Sequence, residues 1–354
     1  MKIEERSVLV AVAREMKLVY VSADVKGYTR LRKGKGFVYA DADGKRITDT
    51  ETLQRIKSLV IPPAWTNVWI NPKPNGHLQV TGIDAAGRKQ YKYHSEWSKH
   101  RNVRKHSRMV DFARSLPALR KRLNKDLRKR DFTREKVLAL AITVMDKTCI
   151  RVGNSAYTKM YGSYGLTSLR NKHVQIKGSK MVIAFKGKKG VYQEIKLTHA
   201  RLTGMMKKLR DIPGQELFQY YDEKGEKHVV DSSDVNSYIM ESTGKDFTAK
   251  DFRTWWGTVS MFGSLAEAED FETITAARQQ LNAALEQVAA KLGNTKTVCK
   301  KYYIHPSVFE HYEQGRLSKY LQKLKKMKGD TSALNTISPE EQVTMEYMLC
   351  ECKA

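Results

Sequence analysis

The groups in this sequence that could do chemistry are cations, an amide and phenols. In chain order they are Arg151, Lys188, Arg253, Asn294 and the adjacent pair Tyr302 and Tyr303 in CKKYYIHP. Arginine and lysine can neutralise phosphate oxygens, an amide can donate hydrogen bonds to them, and a phenol can act as a nucleophile. The set therefore suits phosphoryl transfer to a tyrosine without a metal ion. Neighbouring residues on a helix point about 100° apart, so only one of the two phenols can face a given phosphate.

Each of these residues also has an ordinary structural interpretation. Arg151 comes near the predicted end of a helix, where arginine interacts with the helix dipole. Lys188 lies at a predicted hairpin tip, where a lysine is normally solvated. Arg253 stands in the run DFRTWW, where it could stack on an indole ring. Asn294 follows a glycine, a common arrangement at helix ends. For any one residue alone these alternatives stay open.

Sequence signals for nucleotide and metal chemistry are missing. The glycine clusters RKGKGF and KGKKG do not match the Gly-rich loop that ends in Gly-Lys-Ser/Thr and holds nucleotide phosphates. Clustered carboxylates are absent, and the nine histidines are scattered without a ligand pattern. The sequence therefore predicts a reaction that requires no cofactor, neither ATP nor a metal ion.

The charge of the chain points to a polyanionic partner. With 64 Lys and Arg against 38 Asp and Glu, the formal net charge is +26. Between Arg88 and Arg130, sixteen basic residues stand against only three acidic ones, Glu96, Asp111 and Asp126. A field of this sign attracts the phosphate backbone of DNA or RNA. The alternative is a ribosome-associated or merely solvated basic surface.

Cysteine content and hydropathy bear on where the protein works. The four cysteines, Cys149, Cys299, Cys350 and Cys352, lack the spacing of a metal site, and so low a content is typical of a reducing compartment. The apolar run VLVAVA is broken at once by Arg14, and no stretch approaches the roughly 20 apolar residues of a membrane span. We therefore expect a soluble, cytoplasmic protein.

The first hundred residues carry strand and turn signals. Asp43-Gly44 and Asn75-Gly76 are hairpin-type dipeptides between β-prone runs, and four prolines punctuate the region. They predict a small β-rich domain over residues 1–103. The basic stretch KHRNVRKHSR is the best candidate for a linker to the second domain.

From Pro117 onward, helical periodicity dominates. In REKVLALAITVMDKTCIRVG the apolar residues fall on one face, and Gly153 is the predicted end of that helix. HVQIKGSKMVIAFKGKKGVYQEIKL alternates polar and apolar residues and predicts a three-stranded meander. Further helices are predicted after a Thr248 cap and up to Gly293. The fold class is therefore α+β, with a larger, mostly helical domain over residues 104–318 and a C-terminal tail helix over residues 319–354.

Nine motifs in a fixed order are the strongest indication of a family. They are IPPAWTNVWI, QVTGID, GRKQYKYH, CIRVGNSAY, YGLTSLRNKHV, FKGKKG, GQELFQY, FTAKDFRTWWGT and LGNTKTVCKKYYIHP. Together they resemble the type IB DNA topoisomerases, specifically the compact bacterial and poxvirus-like branch, over roughly residues 18–317. The resemblance implies an enzyme that cuts one DNA strand, lets the duplex rotate to relax supercoils, and reseals the strand without ATP or metal.

The resemblance also assigns roles to the candidate residues. Arg151 and Arg253 are implied to stabilise the transition state, Lys188 to be the general acid and Tyr303 to be the nucleophile, which forms a 3′-phosphotyrosyl bond. Asn294 occupies the position where poxvirus and eukaryotic members carry histidine and bacterial members carry asparagine. A neutral amide there can donate a hydrogen bond to a phosphate oxygen but cannot relay a proton.

The same resemblance implies how DNA is held. The β-rich domain and the helical catalytic domain would form a C-shaped clamp around double-stranded DNA, as a monomer, with the basic stretch tracking phosphates. Gln90, Tyr91 and Tyr93 would face the major groove, and Tyr157 would reach the DNA backbone near the cleavage site. For Tyr91 and Tyr93, a strand with one aromatic face packed inward is an equal alternative.

Two other functions remain open at this point. A tyrosine recombinase uses a similar set of Arg, Lys, Arg and Tyr, but it usually shows His-x-x-Arg around the second arginine, where this chain has Lys250 three residues before Arg253. A non-catalytic basic DNA-binding protein would need no fixed tyrosine and would bind DNA without forming a covalent adduct.

Overall fold

The chain forms two compact units, Met1–Lys105 and His106–Ala354. The computed structural model describes residues 3–34, 36–85, 87–327 and 337–351, apart from the side chains of residues 3–6, 8, 102–105, 107, 156 and 157. It has mixed α+β architecture, with roughly half of the chain helical and the strands in small antiparallel sheets. Within the described residues, none of the helices is both long enough and apolar enough to cross a lipid bilayer.

The first unit is built on a five-stranded antiparallel sheet. Its elements are α1 (Ile3–Glu15), β1 (Tyr28–Lys33), β2 (Gly36–Ala40), α2 (Thr50–Ser58), β3 (Thr66–Ile70), β4 (Leu78–Ile83) and β5 (Lys89–Tyr93). The strand order is β2-β1-β3-β4-β5. Ile56 of α2 packs on the inward side chains of β3 and β4 and forms a small core with them. The predicted strands are therefore present, and the two helices are additions that the strand signals did not predict.

The second unit is mainly helical and also carries two small sheets. Its helices are α3 (Ser95–Leu127, which contains the boundary between the units), α4 (Arg134–Thr148), α5 (Ser155–Tyr161), α6 (Ala200–Arg210), α7 (Ser232–Thr243), α8 (Ala249–Ala266), α9 (Ile274–Leu292), α10 (Lys296–Tyr302), α11 (Ser307–Glu313), α12 (Ser318–Lys326) and α13 (Pro339–Glu351). Its strands are β6 (Val174–Lys177), β7 (Lys180–Lys186), β8 (Tyr192–Thr198), β9 (Gln219–Tyr221) and β10 (Lys227–Val229). The predicted three-stranded meander is confirmed, with order β6-β7-β8.

The basic stretch predicted as a linker lies inside a continuous helix. Helix α3 runs for 33 residues and includes Pro117, where the helical pattern was predicted to begin. Its C-terminal half buries Phe112, Leu116 and Leu119 in the main core. Lysine and arginine are good helix formers but leave no apolar periodicity in KHRNVRKHSR. The sequence pattern therefore placed the start of this helix too late.

Helix α4 crosses the core of the second unit and ends earlier than predicted. All of its residues from Lys136 to Asp146 are buried, so the apolar face seen in the sequence is only part of a helix enclosed on every side. The helix ends at Cys149, which adopts a left-handed conformation (φ 55°), and not at Gly153. Residues 149–154 are non-helical, so the chain leaves the helix just before Arg151.

The predicted ends of α8 and α9 are confirmed. Thr248 is the N-cap of α8, and its backbone N–H donates to the Asp251 carboxylate at 2.8 Å. Gly293 terminates α9 in a left-handed conformation (φ 56°) that glycine adopts without strain. The Asn294 N–H then donates to the Ala289 carbonyl at 3.0 Å, which completes a Schellman-type helix end.

The C-terminal helix α13 packs on α8 and α12 and closes a buried charge cluster. Arg120 donates to both Asp146 (2.8 and 3.0 Å) and Glu341 (2.8 and 2.9 Å). The indole N–H of Trp255 also donates to Glu341, at 3.0 Å. Burial alone would raise the pKa of Glu341, but the hydrogen bonds and charge of Arg120 outweigh burial and lower it. The C-terminal segment is thus tied to the helix that carries Arg253.

Replacing Glu341 with alanine is expected to lower the free energy of unfolding by about 3 kcal/mol, because two N–H groups of Arg120 and the Trp255 indole N–H lose their buried acceptor. The pKa of Glu341 is lower folded than unfolded. Its stabilisation is therefore fully present above about pH 4.3 and is lost as the pH falls through the folded pKa. Urea denaturation at pH 7 measures the change.

The control is Glu346→Ala on the same helix, which breaks a half-exposed ion pair with Lys323 and should cost at most about 1 kcal/mol. Equal losses for the two variants would contradict the role given to Glu341.

Candidate active site

Arg151 lies on the non-helical segment that follows α4. Its carbonyl accepts a hydrogen bond from the Leu166 N–H at 2.8 Å, which fixes the backbone of the segment. Its guanidinium Nη2 donates to the Gly293 carbonyl at 3.0 Å and to the Asn294 side-chain oxygen. Arg151 therefore interacts with the C-terminal end of α9 and not with the end of its own preceding helix.

Arg253 is placed by α8 at the centre of the second unit and is only 6% exposed. Its guanidinium donates to the carbonyl of Cys149 and, at 2.8 Å, to the carbonyl of Leu292, so it joins the ends of α4 and α9. Its Nε is buried and has no acceptor among the described residues. The guanidinium carbon lies 5.1 Å from the centre of the Tyr303 ring. Arg253 thus stacks on the candidate nucleophile.

Asn294 is held in one orientation by Arg151. Because arginine can only donate, the amide oxygen must be the atom that faces the guanidinium. The amide nitrogen of Asn294 is then the free end of the group, and it is buried without an acceptor among the described residues. An unpaired buried donor is costly, and a phosphate oxygen would satisfy it.

Tyr303 is not part of α10 but its C-cap residue (φ −127°), whereas Tyr302 is the last residue of the helix. A β-carbon on Gly257 of α8 would lie within 3.0 Å of the carbonyl and the Cβ of Tyr303, so only glycine allows this packing. The next residue of α8, Thr258, accepts the His305 N–H at 3.0 Å. Tyr303 is partly buried against the core, while Tyr302 is 41% exposed. The two phenols therefore have different environments, and α8 positions the one that contacts Arg253.

Lys188 lies on the tight connection between β7 and β8. The turn is closed by a 2.8 Å hydrogen bond from the Gly187 N–H to the Val191 carbonyl, and Lys189 within it is left-handed (φ 61°). Lys188 lines one cavity together with Arg151 and Arg253. The structure thus brings together three cations that are far apart in the sequence.

The same cavity reveals a fourth cation, Lys291, which the sequence reasoning did not single out. It lies in the last turn of α9, three residues before Asn294. The sequence did place Lys291 about one helical turn before Asn294. A lysine in the last turn of a helix is common, however, because its charge interacts favourably with the helix dipole. Asn294 and Tyr303 do not line this cavity. Each contacts an arginine that does: Asn294 bonds to Arg151, and the Tyr303 ring lies under Arg253.

The electrostatics of the cluster favour an anion. Burial, and then the charge of Arg253, lower the pKa of Arg151 to about 10, while Tyr303 acts in the opposite direction. Arg151 therefore stays protonated at neutral pH, but its charge is destabilised by desolvation and by a like charge. A phosphate between the two arginines would relieve both effects. Burial also raises the pKa of the nearby Cys299 thiol to about 11, which keeps it neutral.

The side chains proposed to contact DNA from the first unit lie on β5. Tyr91 and Tyr93 are 48% and 36% exposed, and their rings stack with centroids 6.2 Å apart, so the alternative that they pack inward is wrong. Gln90 points to the other face of the strand, where its amide donates to Asp84 at 2.8 Å. The side chain of Tyr157 lies outside the described residues.

One group of metal-type ligands occurs among the described residues, on the turn between β9 and β10. It consists of Asp222, Glu226 and His228. Asp222 already accepts hydrogen bonds from His228 (2.9 Å) and from the backbone N–H groups of Lys224 and Glu226. The cluster is explained as the closure of a hairpin turn and shares no residue with the arginine cluster.

Comparison with known proteins places the chain in a family. A family model described as eukaryotic DNA topoisomerase I, catalytic core, matches residues 94–331, and one described as bacterial DNA topoisomerase IB, N-terminal domain, matches residues 36–84. DNA topoisomerase 1B of Acanthamoeba polyphaga mimivirus is 32% identical over 299 residues, 82% of this chain and 88% of the relative. DNA topoisomerase 1B of Vaccinia virus (strain Copenhagen) is 24% identical over 288 residues, 76% of this chain and 87% of the relative.

A solved structure of the XerH site-specific recombinase bound to palindromic difH substrate, in a post-cleavage complex, is a more remote match. It has 14% sequence identity and a TM-score of 0.36, and the match covers 57% of this chain and 50% of that chain. A likeness of this degree carries no argument for the recombinase alternative.

Together, the two family models reach from the β-rich first unit into the C-terminal part of the second. The first of them contains Arg151, Lys188, Arg253, Asn294 and Tyr303. A non-catalytic DNA-binding protein is therefore excluded as the description of this chain. The chain belongs to the type IB DNA topoisomerases, isomerases that act on DNA, and to their compact kind.

Proposed function

We propose that this topoisomerase relaxes supercoiled DNA through a covalent 3′-phosphotyrosyl intermediate on Tyr303, followed by strand rotation and religation. The observation that carries the proposal is the stacking of Arg253 on the Tyr303 ring, next to the hydrogen-bonded pair of Arg151 and Asn294. The proposed nucleophile, two guanidinium groups that remain charged at neutral pH and an amide donor are thus in contact with one another.

In the cleavage step, the phenolic oxygen of Tyr303 bonds to the phosphorus and the bond from phosphorus to the 5′-oxygen breaks. The phenolic proton leaves to solvent, and negative charge builds up on the nonbridging oxygens. Arg151, Arg253 and the Asn294 amide are proposed to hold those oxygens. The buried Nε of Arg253 and Nδ2 of Asn294, which lack acceptors among the described residues, support this assignment.

The leaving 5′-oxygen needs a proton, and Lys188 is proposed to supply it. An alkoxide is a poor leaving group in neutral water, so protonation by a positioned acid contributes about 10²- to 10⁴-fold to the rate. Because one phosphoester replaces another, the bond energy is retained and the reverse reaction reseals the strand. The cycle as proposed therefore needs neither ATP nor a metal ion.

DNA binding is proposed to involve both units. The two units would close around the duplex as a C-shaped clamp, with the basic residues between Arg88 and Arg130 tracking phosphates. Exposed, stacked Tyr91 and Tyr93 support a role for β5 in this contact.

We propose that the enzyme acts as a monomer in the cytoplasm of a bacterial cell, associated with the nucleoid. A fluorescent fusion excluded from the nucleoid, or a dimer in sedimentation of the DNA complex, would contradict these points.

Plasmid relaxation tests the proposed function directly. Purified protein is expected to relax a negatively supercoiled plasmid in EDTA without ATP, because the residues proposed for catalysis include no metal ligand and no phosphate-binding loop. A plasmid that stays supercoiled across a range of salt concentrations would overturn the proposal.

The salt dependence of DNA binding, measured on the same plasmid, tests whether the protein contacts many phosphates. If the protein contacts 6–10 phosphates, its affinity for DNA should fall by about 10³- to 10⁵-fold between 50 and 200 mM salt. A flat response would rule out phosphate tracking.

A further inference from the structure

Strand β8 carries a glutamine at a position where its pattern calls for an apolar side chain. Its residues alternate between exposed ones, such as Glu194, and partly buried ones, Gln193, Ile195 and Leu197. Ile195 and Leu197 pack against the main core. Gln193 pairs across the hairpin with the buried Phe185 and thus faces the same side. An inward-facing amide at the end of an otherwise apolar row calls for a local reason.

That reason is visible in what the side chain touches. A β-carbon on Gly293 would lie within 3.0 Å of all three terminal atoms of the Gln193 side chain, Oε1, Nε2 and Cδ. A β-carbon on Gly187 would meet Gln193 Cγ at 3.1 Å. The glutamine therefore fills the space between two glycines. Its amide nitrogen donates to the Tyr192 carbonyl at 3.2 Å, and the amide group packs against the backbone of Gly293.

Those two glycines immediately precede two of the candidate active-site residues. Gly187 precedes Lys188, and Gly293 precedes Asn294. The Gly293 carbonyl is also an acceptor for Arg151. Gln193 itself lines the cavity that Lys188 shares with the two arginines. One side chain thus bridges the hairpin that carries the candidate acid and the turn that carries the amide.

On the β7 side, the outer end of this hairpin is tied to the rest of the unit by a hydrogen bond from the Tyr164 N–H to the Lys186 carbonyl at 2.8 Å, whereas the β8 side is more exposed. Val191 and Tyr192, which follow the turn, are 48% and 65% exposed. Strand pairing closes the turn, but pairing alone does not fix the tilt of a two-stranded extension against the rest of the unit. A misplacement of about 1 Å is enough to cost roughly 10²-fold in rate when a catalytic group must meet a reacting atom.

We propose that Gln193 is a positioning residue that latches the Lys188 hairpin onto the Gly293–Asn294 turn. Its side chain sets how far the Lys188 ammonium reaches toward the leaving 5′-oxygen. The inference rests on the general-acid role of Lys188 proposed above and adds a residue to which neither the sequence motifs nor the comparisons assign a role.

The test compares cleavage of two DNA substrates in single-turnover experiments. One is an ordinary suicide duplex, and the other carries sulfur in place of the 5′-bridging oxygen at the scissile phosphate. A thiol has a pKa near 8.5, so its thiolate leaves without a general acid. Gln193→Ala should slow cleavage of the ordinary duplex by about 10- to 100-fold. With the sulfur substrate it should cleave within about threefold of the unaltered protein, because the proton is no longer needed.

Matched variants separate positioning from general damage. Glu194→Ala changes the adjacent, outward-facing residue and should leave both rates unchanged. Gln193→Met keeps an unbranched side chain of similar length and should restore most of the cleavage rate. In a Lys188→Ala background, Gln193→Ala should add no further loss, because both changes act on the same proton transfer. If the alanine variant does not fold in a thermal melt, Gln193→Asn takes its place, since it only shortens the side chain by one methylene.

The outcomes distinguish failure of this inference from failure of the proposed function. If sulfur rescues Lys188→Ala but not Gln193→Ala, the latch is wrong while the acid role of Lys188 stands. Unchanged cleavage of the ordinary duplex by Gln193→Ala also overturns the latch. If sulfur fails to rescue Lys188→Ala itself, the general-acid assignment falls, and the latch falls with it.

Discussion

Replacing Tyr303 with phenylalanine is expected to abolish both plasmid relaxation and the covalent protein–DNA adduct. The variant loses only the phenolic oxygen that would attack phosphorus. Phenylalanine keeps the ring on which Arg253 stacks and the close packing against Gly257, so the local structure should persist. DNA affinity should therefore stay within about threefold of the unaltered protein. Relaxation, adduct formation on a labelled duplex and equilibrium binding measure the three quantities.

Tyr302→Phe is the matched control, because it removes the same atom from the adjacent residue. Tyr302 is exposed at the last residue of α10, and its ring lies beside Lys301 and not under Arg253. This variant should retain most of the relaxation activity. An adduct that survives in Tyr303→Phe and disappears in Tyr302→Phe would reverse the assignment of the nucleophile.

Lys188→Ala is expected to slow cleavage of ordinary DNA by about 10²- to 10⁴-fold, the usual contribution of a general acid. Lys188 lines the same cavity as both arginines, which supports its proposed role as the proton donor. Sulfur at the 5′-bridging position should restore cleavage by this variant. Lys189→Ala, which changes the next residue of the same turn, is the control and should cleave both substrates normally. Loss of cleavage that sulfur does not relieve would argue that Lys188 contributes charge or structure and not a proton.

The elements with strong local signals could be predicted from the sequence. The β6-β7-β8 meander follows from alternation, and the ends of α8 and α9 follow from Thr248 and Gly293. These features depend on a few adjacent residues whose conformational preferences agree with the fold. Helix α3 was missed over its basic half because charged helix formers carry no periodic signal.

The way in which the site is assembled could not be predicted, because it depends on backbone groups from distant segments. Arg253 is held by the backbone carbonyls of Cys149 and Leu292, and the side-chain types of a motif do not show which backbone groups will serve as acceptors. The end of α4 at Cys149 was missed because a left-handed cysteine is uncommon and Gly153 offered the more obvious stop. That early end is what frees the Cys149 carbonyl and the backbone of Arg151 for the site.

The candidate residues themselves were found from types, order and resemblance, and the structure brings them together. Arg151 and Asn294 share a hydrogen bond, Arg253 stacks on Tyr303, and Lys188 meets the arginines at a cavity. Their chemical roles remain predictions. Gly257 and Gln193 escaped sequence reasoning because what matters is the space beside them, which only the packed structure reveals.

The most direct test of this account is to identify the residue and the DNA end joined in the covalent adduct. The protein is reacted with a suicide duplex in EDTA, the complex is digested with protease, and the modified peptide is sequenced by mass spectrometry. We expect a 3′-phosphate ester on the second tyrosine of CKKYYIHP, Tyr303. An adduct on Tyr302, on any other residue, or through a 5′-phosphate would contradict it.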